Sequence, residues 1–75
     1  MKVYVVETDW YATYEDHFSV LKEVYSSLEA AKASVYAKGY TTIEKYDEDS
    51  WKTNEIPDDE WGTKRRTIYE REVLD

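Results

Sequence analysis

The chain has no cysteine, one histidine, one proline and two glycines, and each scarcity removes a class of function. Without cysteine there are no disulfide staples and no thiolate metal sites, which fits a reducing, cytoplasmic setting. Gly39 and Gly62 stand alone, so neither a Gly-x-Gly-x-x-Gly turn nor a phosphate loop built from backbone amides can be assembled. His17 is the only imidazole, and a nucleophilic triad needs histidine, serine and an orienting acid brought together in a cleft. A chain of 75 residues has little room for such a cleft beside a core, so no enzyme is expected. The longest apolar run, Val3 to Val6, falls far short of the ~20 residues of a membrane span and does not resemble a signal-peptide core.

What the chain has in quantity is aromatic surface and acid. Three Trp, eight Tyr and one Phe supply bulk that few Leu and Ile would otherwise provide, and they argue for a folded single domain over residues 1–75. The net charge is −7, and six of those charges arise between Asp47 and Glu60. Asp47, Glu48, Asp49, Glu55, Asp58, Asp59 and Glu60 are answered there by Lys52 alone. Residues 47–63 therefore read as an acidic loop, solvated or facing something cationic, with Trp51 and Trp61 set into it.

Periodicity organises the rest. Lys2 to Thr8 reads as a central strand, apolar on both faces, and His17 to Tyr25 as a second strand, its alternation carried by Phe18, Val20, Lys22 and Val24. Asp9 to Asp16 would connect them, with Trp10, Tyr11 and Tyr14 folded back on the sheet. Ser26 and Glu29 have capping-box spacing ahead of a helix over Ser27 to Lys38, which carries Leu28, Ala31 and Val35 on one stripe and ends at Gly39. Thr41 to Asp47 and Arg65 to Val73 complete the set. The expected fold is α+β, in the order ββαββ: an antiparallel sheet of three or four strands with one helix packed on a face.

Two stretches, Lys2-Val3-Tyr4-Val5-Val6-Glu7 and Val24-Tyr25-Ser26-Ser27-Leu28-Glu29-Ala30-Ala31, resemble small uncharacterised proteins of bacteriophages and Gram-positive bacteria. Those open on such a strand and turn into a helix through a similar V-Y-S-S-x-E-x-A segment. The resemblance covers about the first half of the chain. It implies a fold and a phage setting, and it carries no functional residues.

The remaining chemistry concerns partners. Asp47, Asp49 and Trp51 fall at the first ligand positions of an EF-hand loop, but Lys52 stands where glycine is needed and Asp58 where a bidentate glutamate is usual. No metal or other cofactor is expected, and weak calcium binding is a subordinate alternative. Lys64, Arg65 and Arg66 would pair with Asp58, Asp59 and Glu60 or guard an edge strand, and the acidic field beside them opposes direct contact with nucleic acid. The leading expectation is a non-enzymatic inhibitor that occupies the basic, DNA-binding surface of a bacterial host protein by nucleic-acid mimicry. Its contacts would be Asp47, Glu48, Asp49, Glu55, Asp58, Asp59 and Glu60, with Trp51 and Trp61 as anchors or as pegs into the core. The alternative is a module binding through a sheet edge or a tryptophan patch, its acids serving solubility. A homodimer that gives an exposed strand a partner fits either version.

Overall fold

The structure, a computed structural model, describes residues 1–12, 17–59 and 62–74, and for residues 11–12, 17–21 and 58–59 it describes the backbone alone. The elements are β1 (Lys2–Ala12), β2 (His17–Tyr25), α1 (Leu28–Ala37), β3 (Ile43–Asp47), β4 (Ser50–Thr53), β5 (Ile56–Asp59) and β6 (Gly62–Glu72). They build one antiparallel sheet of six strands in the order β2-β1-β6-β4-β3, with β5 also paired to β6.

The fold is α+β, as the periodicity implies, but the expected ββαββ order is corrected to ββαββββ. The two additional strands lie in the acidic segment. Ten helical residues span only ~15 Å, whereas the molecule extends 42 Å along its longest axis, so α1 covers part of the sheet and does not form a full layer on it.

The two long strands carry the architecture. β1 pairs with β6 from Lys2↔Glu72 to Ala12↔Gly62 without a register shift, which sets Val6 opposite Ile68. Both are buried, and with Ala31 and Val35 of α1 and Tyr40 they form the core. Each such fully buried aliphatic side chain contributes ~1.5–3 kcal/mol by leaving water. β1 extends past Thr8, so Trp10 and Tyr11 belong to the strand itself and not to a folded-back connection. Tyr14 lies outside the described residues.

α1 starts one residue later than the capping-box spacing suggests. Ser27 is the N-cap in extended backbone, and its Oγ accepts a hydrogen bond from the Ala30 amide at 3.1 Å, while Glu29 sits in the first turn near the positive end of the helix dipole. The helix stops at Gly39, whose φ of 101° is open to glycine without a Cβ penalty. That turn returns Tyr40 to the core, where it is 2% exposed.

Candidate functional site

Where a loop over 47–63 is expected, the described residues form two short strands, β4 and β5. Asp47 pairs with Ser50 across a two-residue turn, Glu48-Asp49, so the three consecutive acids Asp47, Glu48 and Asp49 cap the β3–β4 hairpin. All three are exposed. The turn is held from inside: the Asp47 carboxylate accepts from the Glu48 amide at 2.8 Å, and the Asp49 carbonyl accepts from the Glu70 amide of β6 at 2.8 Å. Arg71 Nη1 stands 3.8 Å from Asp49 Oδ2 with both side chains more than half exposed, a contact worth little in water.

Beyond the turn the chain runs back along β6. Ser50, Trp51 and Lys52 oppose Tyr69, Ile68 and Thr67; Ile56 and Pro57 oppose Lys64 and Thr63. Trp51 is half-buried against the core, its ring 6.4 Å from that of Tyr4, and Ile56 packs there too. These two side chains supply the apolar anchors that offset the ordering of so polar a segment. Pro57 is tolerated because β5 pairs with β6 alone.

Between the two pieces, four residue steps on the acidic side face three on β6. Thr53 fills the gap: its Oγ1 accepts the Arg66 amide at 2.9 Å, standing in for a backbone carbonyl. Asn54 then ties the joint to the start of β3, its Oδ1 accepting from the Thr41 and Thr42 amides at 2.9 and 3.0 Å. Glu55 follows, exposed, at the same joint.

The predicted acids therefore separate into groups. Asp47, Glu48 and Asp49 come together at the hairpin tip. Asp58 and Asp59 belong to β5, where Asp59 opposes Gly62, eight positions along β6 from Glu70 and thus ~26 Å away at ~3.3 Å per residue. Glu60 and Trp61 lie outside the described residues. Lys64, Arg65 and Arg66 sit inside β6, with β1 on one side and, on the other, Ile56 opposite Lys64 and Thr53 bonded to the Arg66 amide, so they guard no edge. Arg66 is 8% exposed, and its Nη1 lies 3.4 Å from Glu23 Oε1, which also accepts from the Tyr25 hydroxyl at 2.8 Å.

One feature of the site escapes sequence reasoning. Along the β3–β4 hairpin, Lys45, Lys52 and Arg65 line an open cleft of about 590 Å³ with Glu44 and Tyr46, the Lys45 ammonium turning to the other face, over Trp51. Lys52 Nζ stands 3.8 Å over the Tyr46 ring, and Lys45 Nζ stands 5.2 Å from the Trp51 ring centroid. The only sequence signal is the alternation from Glu44 to Tyr46 facing Lys52, visible once the turn at Glu48-Asp49 is recognised.

Among the described residues no group of three or more His, Asp or Glu side chains converges as a metal site, and no helix is long and apolar enough to cross a membrane. On the same sheet face as the first cleft, away from α1, Val5, Val24 and Tyr69 line a further open cleft with Glu7, Lys22 and Arg71. Burial, followed by the nearby Glu7 and Asp9 carboxylates, raises the Tyr69 hydroxyl above the usual phenol range. Comparison with known families, curated proteins and solved structures finds no match to the chain.

Proposed function

We propose that the chain is a non-enzymatic protein-binding module whose acidic hairpin tip occupies a basic surface of a partner. The observation that carries this reading is the presentation of Asp47, Glu48 and Asp49 on a turn closed by Asp47↔Ser50 and bonded into β6 through Glu70. Three exposed carboxylates on such a support need little further ordering to bind, and they steer a cationic surface toward the tip. The nucleic-acid-binding surface of a bacterial host protein is the partner class with the matching charge, and a phage setting, which the resemblance of the first half implies, would make the encounter one in a bacterial cytoplasm.

The alternative, recognition through a sheet edge, has less support. Both outermost strands of the main path, β2 and β3, carry a register shift in their pairing, and such bulges discourage addition of another strand. The same shifts disfavour an edge-to-edge pair of copies. Trp51 packs against the core, which leaves less of it for a partner.

The test compares the native chain with an Asp47→Asn, Glu48→Gln, Asp49→Asn variant as bait in a bacterial lysate. The reading expects a basic protein held by the native bait only and released by raised salt or excess duplex DNA. Equal retention by both baits at every salt concentration would overturn it.

A further inference from the structure

β1 is apolar on both faces, and only one of them is covered. Val6 turns toward α1 and the core, so its neighbour Val5 points to the other side of the sheet. There the register builds one apolar row across three strands: Val24 of β2 opposes Val5, and Val5 opposes Tyr69 of β6. Among the described residues no helix or strand lies over that row, and Val24 is 62% exposed. A strand apolar on both faces belongs in a sheet covered on both faces.

The rows on either side carry the charges that say what covers it. On one side Glu7 stands on β1, opposite Lys22; on the other Arg71 stands on β6, opposite Val3. Glu7 and Arg71 thus flank the row two residues from its centre, in opposite directions along the strands. Arg71 Cζ lies 4.8 Å from the Tyr69 ring centroid, so this cation borders the row directly. Its other contact, with Asp49 at 3.8 Å, is exposed and weak enough to yield. A two-fold axis along the row lays the row of a second copy on that of the first and reverses the strands. Each Glu7 then faces Val3 of the other copy, one strand or ~5 Å aside from its Arg71, and the two long side chains reach across the ~10 Å between packed sheets. A two-fold along β1 would set Glu7 against Glu7 instead.

We infer that the chain forms a face-to-face homodimer through the row of Val24, Val5 and Tyr69, with Glu7 of each copy paired to Arg71 of the other. β1 and β6 run eleven residues each, ~36 Å, and five strands span ~24 Å, so the face can supply the ~800 Å² that a standard interface takes from each partner. The apolar row fills only the middle of that face and each copy carries a net charge of −7, so the dimer is a weak one. It leaves the bulged edges of β2 and β3 unpaired, and it does not require the acidic tip to bind anything.

Sedimentation equilibrium of the full chain from about 10 μM to about 1 mM tests it, at ~0.15 M salt, where repulsion beyond ~8 Å is screened. The native chain should pass from monomer toward dimer across that range. Val24→Asp, which would bury an unpaired carboxylate, should raise the half-dimer concentration about tenfold or more. Arg71→Glu and Glu7→Arg should each raise it about three- to tenfold, because each sets like charges together. Mixed with one another, those two chains should dimerise as the native chain does, since every Arg then meets a Glu. Should Val24→Asp or Glu7→Arg disturb the circular dichroism spectrum, Arg71→Glu, at a side chain 53% exposed, decides alone. A monomer at every concentration would overturn the inference and leave the row to a different protein or to solvent. Dimerisation that ignores the substitutions would overturn it by placing the contact elsewhere, and no gain on mixing would overturn the pairing of Glu7 with Arg71 and the two-fold with it.

Discussion

β6 is paired along both sides, and the two sides are built differently. Against β1 it runs eleven residues in one register, with Val6 and Ile68 meeting in the core. Against the acidic segment it is met in pieces, with the register slipping between Lys52↔Thr67 and Ile56↔Lys64 and again between Pro57 and Asp59. The first side is held by continuous valine, tyrosine and isoleucine. The second is held by a few anchors, Trp51, Ile56, Thr53 and Asn54, with Lys52 half-buried and Glu55 exposed between them. That difference is what lets one strand stabilise the fold and display charge: the continuous side supplies burial, and the interrupted side spares residues for the surface.

The comparison can be broken most severely from the continuous side. Ile68→Ala should cost ~2–5 kcal/mol in urea unfolding, since Ile68 is fully buried and a cavity there faces Val6, Ala31 and Val35. A loss under ~1 kcal/mol would mean that the shared strand is not the centre of the core. On the interrupted side, Thr53→Val keeps the shape and removes the acceptor for the buried Arg66 amide. It should cost ~1–3 kcal/mol and speed hydrogen exchange at Arg66 above its β6 neighbours.

Smaller effects sharpen the contrast. Neutralising Asp47, Glu48 and Asp49 should change stability by under ~0.5 kcal/mol, because the tip's ion pair of Asp49 with Arg71 is more than half exposed on both partners. At neutral pH Tyr69→Phe should change the pH dependence of stability not at all. The native phenol is held neutral by burial and by Glu7 and Asp9, so its contribution is complete below the ordinary tyrosine value of about 10 and is lost as pH rises through its raised value. Alkaline unfolding profiles should therefore fall more steeply for the native chain than for the variant above that pH.

The β1 and β2 strands and the helix were legible because their signals are local. Val3 to Val6 mark a buried strand, His17–Tyr25 matches the alternating stretch, and Gly39 marks the helix end. The capping-box spacing sets the helix start one residue early because Ser26 and Ser27 both offer a hydroxyl, and only the backbone shows which one reaches an amide. β4 and β5 were not legible: Trp51 and Ile56 are five positions apart among acids and show no period of two, and the pairing that orders them comes from β6, distant in sequence. The acids themselves were found, but not their division between the hairpin tip and β5. Nor was the cleft of Lys45, Lys52 and Arg65, which joins residues from three strands.

The most direct test of the account measures how the affinity of a captured, purified partner varies with salt, for the native chain and for the Asp47→Asn, Glu48→Gln, Asp49→Asn variant. The account predicts tight binding by the native chain that weakens steeply as salt rises, and weak, nearly salt-independent binding by the variant. Equal affinities with the same shallow salt dependence would contradict it and move the contact surface away from the hairpin tip.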